Sequence, residues 1–161
     1  MLTGSRIRVG RVPAFAFGGG QSGGYAGHCG AAKAVVRRFY EELCNRWRFE
    51  LAEQLLSSDV RFRAALGTTV RGRDAFVQYL RSVRAVFPDL YHRIDDMLTD
   101  DNRVAVRLTY SGTHSGTVGE VQAQERMSSS SARACSRTAG RISDGWVVGD
   151  TQEVWRALGR L

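Results

Sequence analysis

The sequence predicts an α+β fold in which three N-terminal helices pack on one side of a curved antiparallel sheet and enclose a pocket. Stretches with helical apolar spacing come first, around Ala32 to Trp47, Leu51 to Leu56 and Phe76 to Phe87. Stretches of strict alternation follow, around Leu90 to Asp95 and Val104 to Tyr110, on either side of the turn signal Thr99-Asp100-Asp101-Asn102. A chain of 161 residues, 43% hydrophobic and 24% charged, holds about one globular domain with a real core.

Residues 1–30 carry nine of the 18 glycines, have no periodicity, and are expected to form a flexible extension ahead of a domain spanning 31–161. Gly18-Gly19-Gly20-Gln21-Ser22-Gly23 matches G-x-G-x-x-G in letters. The Gly24-Tyr25-Ala26-Gly27 that follows is a poor helix start, so the match reads as chance and no cofactor is expected. Val12 to Phe17, behind Arg6, Arg8 and Arg11, is too short for the apolar core of an export signal.

The first helix is expected to start at Ala32. Ala32, Val35, Val36, Phe39, Tyr40, Leu43 and Trp47 form its apolar stripe, with Lys33, Arg37, Arg38, Glu41, Glu42 and Arg46 opposite. Leu51, Leu55 and Leu56 make a second, short helix tied off by Ser57-Ser58-Asp59. Val60, Phe62 and Ala64 then alternate with Arg61, Arg63 and Ala65 as a half-buried strand. Asp74 opens a third helix with the stripe Phe76, Tyr79, Leu80, Val83 and Phe87, and Pro88 stops it. Leu90, His92 and Ile94 pair with Val104, Val106, Leu108 and Tyr110 as a hairpin.

Charge and cysteines narrow the class of function. The formal net charge is +7, yet residues 31–117 hold 14 basic against 11 acidic groups, and Lys33 is the single lysine among 23 basic residues. That distribution speaks against a phosphate-binding stripe, so no nucleic-acid partner is expected, and no apolar run suits a membrane span. Cys29, Cys44 and Cys135 are odd in number and widely spaced, which fits a reducing cytoplasm. His28, His92 and His114 share no ligand spacing, so no metal site is expected.

The motifs, taken in order, resemble the SnoaL-like polyketide cyclases of the nuclear transport factor 2-like superfamily. The resemblance rests on Val36-Arg37-Arg38-Phe39-Tyr40, Arg71-Gly72-Arg73-Asp74-Ala75-Phe76 and Ser111-Gly112-Thr113-His114-Ser115-Gly116. It resumes at Trp146-Val147-Val148-Gly149-Asp150 and Trp155-Arg156-Ala157-Leu158-Gly159. It implies a cone-shaped fold, often dimeric, whose pocket holds a hydrophobic polyketide-type ester. It also implies an intramolecular aldol closure driven by an acidic side chain that removes and returns a proton. The position of that acid, three before Asp150, is Val147 here. Asp150 and His114 are therefore the candidate catalytic residues, with Tyr40, Phe62, Tyr79, Arg107 and Trp146 as candidate pocket residues. A non-catalytic binding protein for a hydrophobic ligand is the alternative. A relative of the limonene-type epoxide hydrolases ranks lower, because their Arg-x-Asp corresponds to Arg107-Leu108-Thr109 while Arg93-Ile94-Asp95 sits one strand earlier.

The segment 118–144 departs from the family pattern. It contains Ser128-Ser129-Ser130-Ser131 and Arg133-Ala134-Cys135-Ser136-Arg137 where two alternating strands belong, and it reads as atypical or disordered. Length is kept while pattern is lost, as a pair of compensating reading-frame shifts would produce.

Overall fold

A computed structural model describes residues 25–64, 67–115, 126–138 and 140–149. The glycine-rich residues 1–24, residues 65–66, 116–125 and 139, and the closing segment with Asp150 and Trp155 lie outside the described residues.

Helix α1 (Tyr25–Arg38) begins seven residues before the expected Ala32, running through Gly27 and Gly30. It widens into a π-helical turn, Phe39–Cys44, closed by the Asn45 N–H donating to the Tyr40 carbonyl at 2.9 Å. The wider turn carries Phe39, Tyr40, Leu43 and Cys44 all on the buried side. Trp47 was expected to continue the stripe, but the chain has left the helix there, with Trp47 at φ 54. Its indole N–H donates to the Pro88 carbonyl at 3.1 Å, which helps hold this left-handed conformation.

A 3-10 turn at Phe49–Leu51 leads into α2 (Ala52–Leu55). Ser57, Ser58 and Asp59, expected as a turn, lie inside strand β1 (Leu56–Arg63). The pairing of β1 shifts register between Leu56 and Arg61, so the alternation that marks a strand is broken where these polar residues fall. Val60 and Phe62 are buried as expected. Strand β2 (Thr69–Arg71) pairs back on β1, and Gly72, at φ 88, turns the chain into α3 (Arg73–Val86). Phe76 and Leu80 bury the inner side of α3, and Pro88 follows its end.

Strands β3 (Tyr91–Asp100) and β4 (Arg103–Thr113) form the expected hairpin. Strand β5 (Arg126–Thr138) then pairs with β4 from Thr113↔Arg126 to Arg103↔Ser136, and β6 (Arg141–Gly149) follows. Strands thus occupy 126–138 and 141–149, where no alternation was legible in the sequence, while 118–125 and 139 lie outside the described residues. A strand flanked on both sides has its backbone groups paired, so a serine-rich sequence can take the extended form without alternating apolar residues.

The six strands form one sheet in the order β2-β1-β6-β5-β4-β3. Every pairing is antiparallel except β1 with β6, which run parallel, so the sheet is mixed where a purely antiparallel one was expected. Alternation gives it two faces. Val104, Val106, Leu108, Met97 and Val147 are buried on the core face under the helices. Tyr91, Leu98, Trp146 and Val148 are exposed on the outer face. Among the described residues, no helix is long and apolar enough to cross a membrane.

Candidate functional site

The helices and the core face bring together three of the expected pocket residues. Aromatic rings link them in series: Tyr40 meets Phe39 at 5.0 Å, Phe39 meets Phe76 at 5.8 Å, Phe76 meets Phe62 at 4.9 Å, and Phe62 meets Tyr79 at 5.9 Å between centroids. Edge-on and tilted contacts of this kind add to the burial of large apolar surface. The other two expected pocket residues are elsewhere. Arg107 is exposed, and Trp146 is 42% exposed, both on the outer face. Each alternates with core-facing neighbours, Val106 and Leu108 for one and Val147 for the other, so period two sends it to the far side.

His114 follows β4 and is 3% exposed. Its ring lies 5.2 Å from that of Phe87, and among the described residues neither ring nitrogen has a hydrogen-bond partner. The position is built from both sides. Asp89 holds Thr113, and the Ser115 N–H donates to the Val86 carbonyl at 2.9 Å. Asp150, the other candidate, lies outside the described residues.

A second buried histidine escaped the sequence reading as a functional group. The Asn45 side-chain oxygen accepts the His92 main-chain N–H at 2.8 Å, and its amide nitrogen donates to the His92 carbonyl at 3.0 Å. The same oxygen meets His92 Nδ1 at 2.9 Å. An amide oxygen only accepts, so this network puts the ring proton on Nδ1 and leaves Nε2 to accept. Tyr110 packs edge-on against the ring at 4.9 Å, and Tyr40 lies at 5.8 Å. The signal available in the sequence was a histidine in the apolar phase of its strand.

On the outer face, Arg93 and Asp95 form the pair whose letters suggested an epoxide-type set. Arg93 Nε donates to Asp95 Oδ1 at 2.7 Å and the Thr109 hydroxyl donates to Oδ2 at 2.7 Å. The Thr109 and Arg93 hydrogen bonds hold the Asp95 carboxyl below its ordinary value, with Arg93 and Arg107 charges adding to the effect. The group sits across the sheet from His114 and the aromatic series, so it does not join them.

A family model described as SnoaL-like polyketide cyclase matches residues 34–158. The chain belongs to the SnoaL-like family. Solved structures agree on the SnoaL-like fold. AclR from Streptomyces galilaeus, provisionally described as a hydroxylase, superposes with TM-score 0.71 at 24% identity over 83% of each chain. A SnoaL-like protein from Jannaschia sp. CCS1 does so with TM-score 0.76 at 13% identity, over 89% of this chain and 99% of that one. IdmH from Streptomyces antibioticus, provisionally described as a polyketide cyclase, gives TM-score 0.69 at 22% identity, over 80% and 98%. No curated protein matches. At these identities the likeness establishes the SnoaL-like architecture, and the chemistry must be argued from the residues present.

Proposed function

We propose that this SnoaL-like chain binds a hydrophobic carbonyl compound, of the polyketide-ester kind, between its helices and the core face of the sheet. The observation that carries the reading is His114. Two buried ring nitrogens without partners cost about 1 to 3 kcal/mol, which a ligand oxygen would recover. A neutral imidazole offers one donor and one acceptor, enough to hold a carbonyl or hydroxyl. Aldol closure needs more, a base beside the carbonyl. Among the described residues no carboxylate is buried, and Val147, at the family's acid position, is 6% exposed on the core face. The reading is therefore binding with little turnover, with cyclisation through His114 or Asp150 as the alternative. A thermal-shift screen of aromatic and polyketide-like esters tests it. Ligands that stabilise the wild type should fail to stabilise His114→Leu, while unliganded His114→Leu melts higher. Equal ligand response in both proteins would sink the reading.

We further propose a homodimer formed through the outer face. Leu98, at 67% exposed, pairs with Ala105, which pairs through Ala134 with Trp146, and Val148 beside it is 61% exposed. Asp96 and Asp100 lie at the β3 edge of this apolar row and Arg61, Arg63 and Arg71 at the β1–β2 edge. A two-fold axis through the row sets the acidic edge of one copy against the basic edge of the other. Light scattering should give a dimer for the wild type and a monomer for Trp146→Glu. A cytoplasmic setting is supported by the cysteines of the sequence, three in number and widely spaced. Absence of nucleic-acid binding is supported by the Arg37–Glu41, Arg38–Glu42 and Arg48–Glu50 pairs, which turn helix-side arginines toward the chain's own acids.

A further inference from the structure

His114 is sealed by the turn that joins α3 to β3. Phe87, at the end of α3, lays its half-buried ring over the His114 imidazole, 5.2 Å between centroids and 33° between planes. The Leu90 N–H donates to the Phe87 carbonyl at 3.1 Å, so the turn Phe87–Leu90 is closed on itself and moves as one piece. On the β4 side it is pinned twice. The Ser115 N–H donates to the Val86 carbonyl at 2.9 Å, and Asp89 accepts from the Thr113 N–H and hydroxyl. From the loop after the π-helical turn, the Trp47 indole N–H donates to the Pro88 carbonyl at 3.1 Å.

Two local costs oppose this closed arrangement. Trp47 takes φ 54, a left-handed conformation that a bulky side chain rarely adopts. Among the described residues, both His114 ring nitrogens lack a hydrogen-bond partner at 3% exposure, and swinging Phe87 aside would return them to water. Against these stand the Trp47–Pro88 hydrogen bond, the Arg84 guanidinium 5.9 Å over the Trp47 ring, and the Phe87–His114 contact. A neutral hydrogen bond and an exposed cation–π contact are each small contributions. The opposing contributions are of the same order, which is the condition for a populated open state.

We propose that the Phe87–Leu90 turn is the gate of the His114 site, with Trp47 as its latch and the Asp89–Thr113 and Val86–Ser115 bonds as its hinge. This rests on the His114 binding site proposed above and adds how a ligand reaches it. Phe87 covers the imidazole until the Trp47 bond lets go. The ligand then takes the ring nitrogens, and the turn closes behind it. Trp47 touches no ligand; it is a positioning residue that acts through Pro88 and Phe87.

The first arm of the test is free of ligand. Diethyl pyrocarbonate acylates neutral imidazole, and mass-spectrometric peptide mapping of the full chain reads the rate at His114 separately from His28 and His92. Trp47→Phe keeps a ring and removes the N–H, and should raise the His114 rate about two- to tenfold, the population shift that one neutral hydrogen bond controls. Phe87→Ala removes the cover itself and should raise the rate further. Thr109→Val, which loosens the outer face and leaves the turn intact, should not change it. In the second arm, saturating methyl anthraquinone-2-carboxylate should slow the reaction at His114 in the wild type, and stopped-flow association of the same ester should quicken in Trp47→Phe. A His114 rate unchanged in both Trp47→Phe and Phe87→Ala overturns the gate, while protection by the ester leaves the binding site standing. A rise confined to Phe87→Ala overturns Trp47 as the latch. An equal rise in Thr109→Val overturns the gate as well, because His114 would then be exposed by unfolding of the whole domain. Faster modification in both turn variants with no protection by the ester upholds the gate and overturns the ligand site.

Discussion

Asp89 accepts two hydrogen bonds from Thr113, one from its backbone N–H at 2.6 Å and one from its hydroxyl at 2.8 Å. The carboxylate comes from the turn after α3 and clamps the end of β4, one residue before His114. Gly112 completes the clamp, because a side chain there would begin 3.2 Å from the Leu90 Cα. Asp89→Ala should lower stability by about 1 to 2 kcal/mol and weaken ligand binding through a displaced His114. Asp89→Asn keeps an acceptor for the backbone N–H and should fall between. Chemical denaturation and titration on the same three proteins check this, and unchanged affinity in Asp89→Ala would show that the clamp does not position His114.

Phe76 is 1% exposed and touches Phe39, Phe62 and Tyr79. Phe76→Ala should therefore cost about 3 to 5 kcal/mol through the cavity it leaves. Arg81 on the same helix is exposed and lies 5.1 Å over the Phe49 ring. Its replacement by Ala should cost only about 0.5 to 1 kcal/mol, the worth of an exposed cation–π contact. Urea denaturation separates the two, and similar losses would contradict the packing of α3.

Val147 is 6% exposed on the core face at the family's acid position, so Val147→Asp would put a carboxylate in the interior. The variant should fold, and it should raise aldol cyclisation of a family-type substrate above the wild-type rate. General acid–base groups contribute about 10² to 10⁴ in rate, which sets the scale of the gain. Product formation followed by chromatography decides the matter, and wild-type turnover abolished by Asp150→Asn or His114→Ala would identify a displaced acid.

Asp95 is held in its charged form by Thr109 and Arg93, so its pKa is depressed in the folded state. A depressed carboxyl adds stability above its unfolded value, about 3.9, and that contribution is lost as pH falls through the folded value. Thr109→Val removes the larger cause. Its Asp95 pKa should rise toward the ordinary range and its acid unfolding should begin at higher pH. Carboxyl-carbon NMR titration reads the first effect and circular dichroism against pH the second.

The sequence by itself determined the elements whose patterns are local. The Phe76 stripe of α3, the Val104-Val106-Leu108 alternation and the turn at Asp101 each needed only a few neighbouring residues to be readable. So did the family's motifs, including His114 and the Val147 position. Tertiary structure decided the rest, because those features depend on partners distant in the chain. Strand β5 carries no apolar alternation and is recognisable only through its pairing with β4 and β6. The face taken by Trp146 and Arg107 follows from where the helices lie, which no strand pattern specifies. His92 acquires its proton position from Asn45, 47 residues earlier.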